Sequence, residues 1–332
     1  MKKSQKRFLF SQDKLTFIYS LLILIIMPFQ EIKPIETAQQ YLDLAIKRAK
    51  RKSSQMKLKG DKLNKIKTLE MTKIAIVRDV IVSRLEEILN SFPRIEELTL
   101  FYRKLVEYTI GKSNIKKALG KIKLTKEKIS EIFKLHNSKL KSAKEIKDIN
   151  KLKKSFYGRL SSILKNPDYK FLENARKLLQ SFPTIKQKYK QIAIAGFPNV
   201  GKSTLLSKLT SSKPEIAAYA FTTKRIMIGY IENIQLLDTP GTLNRFNKMN
   251  SIEQQAYLVM KIVAEKIIYV FDLTEQYPLK DQIKLYERVK GFNKPIIVYL
   301  SKTDILDKEK VNEFKKKYKA IDDIKELNKK LI

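Results

Sequence analysis

No cysteine occurs among the 332 residues, so a disulfide framework, a thiolate metal centre and a thiol nucleophile are all excluded. Histidine is almost as scarce: His136 is the only one, which argues against a histidine-based metal site. Residues 27–190 contain just four glycines, and so few interruptions predict helices there. Acidic side chains are also in short supply, with 34 Asp/Glu against 69 Lys/Arg and a net charge of +35. The deficit is uneven. Residues 191–332 carry 24 Lys/Arg and 16 Asp/Glu, a net of +8, which leaves +27 for residues 1–190. A polyanion, either nucleic acid or an anionic membrane surface, is the natural partner of the first half. The plain alternative is a set of solvated lysine-rich helix faces. With 43% apolar residues the chain has enough for packed cores, and its length suits about two domains.

Long hydrophobic runs are missing as well. Residues 17–27 are apolar apart from Ser20 and follow Lys2, Lys3, Lys6, Arg7 and Lys14, the outline of a signal peptide. The run falls short of the roughly 20 residues needed to span a bilayer, and no small-residue cleavage site follows it. Residues 1–26 therefore read as a start-site extension ahead of Met27. A short hydrophobic anchor and a signal or core segment are the other readings.

What the chain does have is concentrated at Gly196-Phe197-Pro198-Asn199-Val200-Gly201-Lys202-Ser203, which spells GxxxxGKS directly after the strand-like Ile192-Ala193-Ile194-Ala195. A strand feeding a glycine loop that opens a helix is the context a phosphate cradle requires: backbone N–H groups converge on the phosphates and the helix N-terminus adds partial positive charge. Gly196 and Gly201 permit the turn, and Asn199, Val200 and Thr204 complete the candidate nucleotide-binding stretch. Lys202 is placed to reach the β- and γ-phosphates, and the Ser203 hydroxyl to ligate magnesium.

Downstream motifs keep register with this loop. Ala220-Phe221-Thr222-Thr223-Lys224 offers a threonine 20 residues past Ser203. Thr223 rather than Thr222 is expected to bind magnesium and sense the γ-phosphate. Residues 226–231 and 234–237 read as a hairpin joined at Glu232-Asn233, and the second strand delivers Asp238-Thr239-Pro240-Gly241. Asp238 is expected to hold magnesium through water, and the Gly241 N–H to bond the γ-phosphate, so that hydrolysis releases the segment after it. Strands at 267–272 and 295–300, each followed by a helical stretch, give a largely parallel, three-layer α/β sheet. The second leads into Ser301-Lys302-Thr303-Asp304, close to the NKxD signature of guanine specificity. Asp304 can accept from the guanine N1–H and 2-amino groups, which adenine lacks, at about 1.5 to 3 kcal/mol each; Lys302 is expected along the base plane. Ser301 replaces the usual Asn, and so short a side chain is not expected to tie the base loop to the phosphate loop. The last guanine-contacting loop is reduced to Tyr318-Lys319-Ala320-Ile321, a shortened remnant.

The first half reads as an all-α bundle over 27–183, joined by a linker at 184–190 to the nucleotide-binding domain at 191–332. Thr37 N-caps a first helix; a second runs from Asp61 to Ser91-Phe92-Pro93 and a third over 94–110. Residues 112–124 are expected to form a basic connector with one helical turn at most. A helix of forty residues over 125–165, roughly 60 Å long, and a last helix over 168–180 follow. Outward-facing cations (Lys47, Arg48, Lys50, Arg51, Lys139, Lys141, Lys144 and Lys147 among them) would meet RNA by shape and backbone rather than by base reading. His136 sits mid-helix with no partner evident in sequence.

Taken together, these stretches resemble an Obg-type GTPase, specifically an archaeal-style member of the nucleolar GTP-binding protein (Nog) family. The resemblance runs from about Met27 onward and is carried by Asn166-Pro167-Asp168 through Ser181-Phe182-Pro183, the loop GFPNVGKSTLL, Lys213-Pro214-Glu215-Ile216-Ala217 through Lys224, and Asp238-Thr239-Pro240-Gly241 through Arg245. It implies a cytoplasmic, magnesium-dependent switch that binds and hydrolyses GTP, docks on rRNA of the large ribosomal subunit precursor, and takes part in ribosome biogenesis, with an activating partner on the particle. Where family members show Tyr-Pro-Phe, this chain has Ala220. Thr242-Leu243 after Gly241 supplies no glutamine to orient water, so a low intrinsic rate is expected, with Lys202, Thr223 and Gly241 as the catalytic set. Asn199 matches the position that coordinates an activating potassium ion in related GTPases; shaping the loop is its other reading. Two rivals are a scaffold that binds rRNA with weakened nucleotide affinity and a membrane-surface GTPase anchored by residues 1–26. Membrane association is the less expected.

Overall fold

The computed structural model describes residues 29–210, 215–218, 225–240, 251–274 and 276–332. The stretch 1–26 and the candidate residues Thr223 and Gly241 lie outside them, as do Thr222, Thr242 and Leu243. Helices α1 (Ala38–Ser54), α2 (Lys62–Ser91), α3 (Leu100–Thr109), α4 (Lys112–Ser142), α5 (Ile146–Leu164) and α6 (Tyr169–Gln180) precede strand β1 (Lys190–Ala195). Then come α7 (Lys202–Leu209), β2 (Glu215–Ala218), β3 (Arg225–Ile231), β4 (Ile234–Asp238), α8 (Ser251–Leu258), β5 (Lys266–Asp272), α9 (Leu279–Lys290), β6 (Ile296–Ser301), α10 (Lys308–Tyr318) and α11 (Ile324–Leu331).

One compact unit comprises residues 29–94 and 110–180. Thr37 and Gln40 form a reciprocal capping box at the start of α1, which satisfies two otherwise orphaned donors. Asp61 caps α2 by accepting from Asn64 N at 2.9 Å. Helix α2 buries Ile74, Val77, Ile81, Leu85 and Ile88, a stripe at three- and four-residue spacing that packs between α1 and α4. It stops where Phe92 turns extended ahead of Pro93.

Two helical expectations are corrected. Residues 112–124 are no connector: α4 begins at Lys112, and Ile115, Ala118 and Ile122 continue the buried stripe of Ile129. The helix expected over 125–165 is broken at Ala143–Glu145, where Ala143 is extended at ψ 134° and α5 begins at Ile146. His136 also has partners. Buried in α4, its Nδ1 lies 2.8 Å from Ile132 O and its Nε2 lies 3.3 Å from Ser155 Oγ on α5, with the ring edge-on to Phe156. It is a core histidine.

The second unit takes in residues 95–109 and 181–332. Here α3 buries Phe101, Tyr102, Leu105 and Val106 and lies against α8 and the π-helical turn Val259–Val263. The Tyr102 hydroxyl donates to Pro183 O at 2.9 Å and accepts from Ile185 N at 3.2 Å, which fixes the segment leading into β1.

Among the described residues, six strands form one mixed sheet in the order β2-β3-β4-β1-β5-β6. β1 pairs in parallel with β4 and β5, and β5 with β6, while β2-β3 and β3-β4 are antiparallel. The β3-β4 hairpin turns at Glu232, whose φ of 47° is left-handed and matches the twist of a tight hairpin turn. The central strands β1 and β4 are buried along almost their whole length, as expected for strands covered on both faces. Their carboxyl ends lie side by side, with Ile194 opposite Asp238.

Candidate nucleotide site

The loop between β1 and α7 is set by backbone conformations that few residues tolerate. Gly196 has φ 150°, Asn199 φ 60° and Gly201 φ 90°. A Cβ at Gly196 would sit 2.7 Å from Val270 O, so only glycine lets the loop pass over β5. Asn199 is exposed in the left-handed region, which asparagine adopts more readily than most side chains.

Lys202 opens α7 with its side chain buried, and its Nζ donates to Phe197 O within the loop at 2.6 Å. Ser203 follows, and its hydroxyl donates to Asp238 Oδ2 at 2.5 Å. The other carboxylate oxygen, Asp238 Oδ1, is buried with no hydrogen-bond partner among the described residues. Burial pushes the Asp238 carboxyl up to about 6, with the Ser203 hydroxyl and the Lys202 charge pulling the other way. Thr239 closes the arrangement: its N and Oγ1 both donate to Ile194 O, at 3.1 and 2.7 Å. This lashes the end of β4 to the end of β1.

At the end of β6, Ser301 overturns the expectation drawn from its size. Its Oγ lies 2.7 Å from Val200 O in the phosphate loop and 3.0 Å from Phe271 O. A serine spans the gap because the loop comes close: a Cβ on Gly201 would stand 3.7 Å from Ser301 Cβ. Lys302 is left-handed at φ 54°, and its Nζ pairs with Asp272 Oδ2 at 2.6 Å. Asp304 lies exposed in the short helical turn Thr303–Ile305. The reduced last loop runs beside β6, with Ile321 N donating to Val298 O at 2.9 Å and Leu300 N to Ile321 O at 2.8 Å. Asp323 then caps α11 directly. Sequence reasoning misses Asp272 and Gln282, although a charged residue closing the apolar run 267–271 is a visible signal.

The structure thus gathers Gly196, Asn199, Val200, Gly201, Lys202, Ser203 and Thr204 with Asp238, Ser301, Lys302 and Asp304 at the carboxyl edge of the sheet. Strand, glycine loop and helix with this constellation define a P-loop GTPase, here preceded by a helical domain.

Residues 29–186 match the family model of the NOG1 N-terminal helical domain, and residues 191–302 match that of the 50S ribosome-binding GTPase. An uncharacterized protein of Methanocaldococcus jannaschii is 35% identical over 86% of this chain and 83% of its own length. Nucleolar GTP-binding protein 1 of Drosophila melanogaster is 31% identical over 86% of this chain but 45% of its own length, and that of Saccharomyces cerevisiae 30% identical over 86% and 46%. The chain therefore spans a little under half of those eukaryotic relatives. Among solved structures, an Aquifex aeolicus Era variant bound to GDP.AlF4- is 31% identical over 40% of this chain and 48% of that one, with a TM-score of 0.31. The chain belongs to the nucleolar GTP-binding protein (Nog) family.

Proposed function

We propose that the chain is a GTP-dependent switch that docks on RNA of a large ribosomal subunit precursor and leaves when GTP is hydrolysed. The observation that carries the switch is the Ser203–Asp238 pair at 2.5 Å beside Asp238 Oδ1, which has no hydrogen-bond partner among the described residues. A buried carboxylate oxygen without a donor is costly, and a hydroxyl and a carboxylate meeting at a phosphate loop suit a hard divalent cation that also takes phosphate oxygens.

Magnesium is the ion this donor set fits, with Ser203 as a direct ligand, Asp238 through water, and Thr223 as the third candidate. When bound, it neutralises charge on the β- and γ-phosphates. Lys202 is positioned to exchange its Phe197 O bond for phosphate oxygens. Gly241 is the expected γ-phosphate sensor. Asp304, exposed at the end of β6, supplies the guanine-reading carboxylate, and the Ser301 link to Val200 O joins base loop and phosphate loop in one rigid cradle. That link removes one of the two reasons for the scaffold reading, the short Ser301 side chain; the other is the reduced last guanine loop.

For docking, the support is the placement of cations in the helical unit. Lys67 at the start of α2 donates to Lys141 O at the end of α4, at 3.2 Å, so both termini share one end of the bundle. Residues 47–69 hold ten Lys/Arg with Asp61 as the one acid, and 134–147 hold five Lys with Glu145 as the one acid. Among the described residues no helix is long and apolar enough to cross a membrane.

Calorimetry with GDP, GTP and ATP in magnesium tests the switch directly. Binding of both guanine nucleotides and not of ATP is expected; no binding of either would favour the scaffold.

A further inference from the structure

Asp272 closes β5 opposite Ser301 in the parallel ladder with β6. Its side chain is 3% exposed, and three donors converge on it: Lys302 Nζ on Oδ2 at 2.6 Å, and Thr274 N and Oγ1 on Oδ1 at 2.8 and 2.7 Å. Burial alone would push this carboxyl up, but the Lys302 and Thr274 bonds outweigh it and hold it below its ordinary value. The carboxylate is charged and pointed.

What points it is Gln282, itself 1% exposed on α9. The Gln282 side-chain amide brackets the Asp272 backbone, accepting from Asp272 N at 3.1 Å and donating to Asp272 O at 2.7 Å. The same amide donates to Tyr277 O at 3.1 Å, and the Tyr277 ring leans on Phe197 of the phosphate loop at 5.3 Å. The Tyr269 hydroxyl donates to Gln282 O at 2.8 Å and fixes α9 from below. Lys302 meanwhile holds a left-handed backbone that costs a non-glycine residue stability, and such strain persists where surrounding contacts enforce it.

We propose that Asp272, set in place by Gln282, is a positioning residue for guanine recognition that holds the Lys302 ammonium so that its aliphatic stem forms one wall of the base site. The inference rests on the guanine reading of the Ser301–Asp304 loop. Lysine has four rotatable bonds and loses much freedom when fixed; an ion pair made before the ligand arrives removes that loss from the binding step. Asp272 touches no base in this scheme and acts through Lys302.

The test is a double-mutant cycle on GDP affinity in magnesium, with thermal unfolding of each variant alongside. D272N keeps the size of the side chain, removes the charge and, with its oxygen kept on the two Thr274 donors, turns an NH2 donor toward the Lys302 ammonium in place of the acceptor Oδ2. D272N and K302M are each expected to weaken GDP binding about tenfold, the value of one charge-assisted hydrogen bond, and D272N is expected to add nothing in the K302M background. K302R, which keeps the cation, should retain affinity with Asp272 present and lose it in D272N. Equal weakening by D272N in both backgrounds, or K302R binding equally well with and without Asp272, would overturn the proposal, because a merely structural carboxylate behaves that way. Failure of the wild-type chain to bind GDP would instead remove the guanine reading, and this role with it.

Discussion

Asp238 is the residue whose environment makes the sharpest demand. With its carboxyl at about 6 in the folded chain against 3.8 as the ordinary value, the folded form keeps a proton that the unfolded form has already released between those two pH values. Folding stability contributed at this position is therefore greatest below about pH 4 and falls as pH rises through 6, by on the order of 3 kcal/mol. Urea unfolding of the nucleotide-free protein should show that fall relative to D238N, which cannot titrate; parallel curves for the two proteins would contradict it. Ser301 makes a second residue-scale prediction. S301A deletes the link to Val200 O and should weaken GDP binding about tenfold, read by competition with a fluorescent nucleotide, and lower stability by about 1 to 3 kcal/mol because the buried Val200 O loses its donor. The phosphate-loop residues are legible in the sequence because four fixed letters and a strand-to-helix context leave one reading. Ser301 misleads because side-chain length is visible in a sequence and the distance it must cover is not. Asp272 is hidden because its importance lies in a partner 30 positions away.

At the scale of elements, periodicity locates most helices and strands, though not β2 or α8, and it does not show their breaks or neighbours. The spacing Leu140, Ala143, Ile146, Ile149 stays in helical phase across the break at Ala143–Glu145, and no proline or glycine marks it. Lysine density and Gly120 disguise the start of α4, although Ile115, Ala118 and Ile122 carry the same buried stripe. An amphipathic helix declares that it has a buried face, not what covers it, and so periodicity alone does not show that α3 lies against α8. Tyr102 is the element's anchor. Y102F leaves Pro183 O and Ile185 N without their partner and should cost about 1 to 3 kcal/mol, measured by denaturant unfolding; an unchanged midpoint would show that α3 is held by packing alone. The basic end of the helical unit yields the other prediction here. Replacing Lys57, Lys59, Lys139 and Lys141 by alanine should weaken binding to duplex RNA and flatten the log-log salt dependence by about 0.9 for each phosphate that is no longer neutralised. An unchanged slope would place the RNA-binding surface elsewhere.

On the scale of the whole molecule, the two-part organisation is readable from charge and pattern together: a basic half with few glycines and a half that alternates strands and helices around GxxxxGKS. The chemistry that drives the switch should answer to the monovalent cation if the exposed, left-handed Asn199 serves as a ligand; hydrolysis with ribosomal subunits present is then faster in potassium than in sodium, and N199A abolishes the difference. Equal rates leave Asn199 a loop-shaping residue. The central claim is that the state of the nucleotide controls the grip of the helical unit on RNA. Its most direct test is co-sedimentation of the purified chain with large-subunit precursor particles, empty, with GDP, and with a non-hydrolysable GTP analogue. The account predicts retention on the particle with the analogue and release with GDP, whereas equal retention in all three states would contradict it.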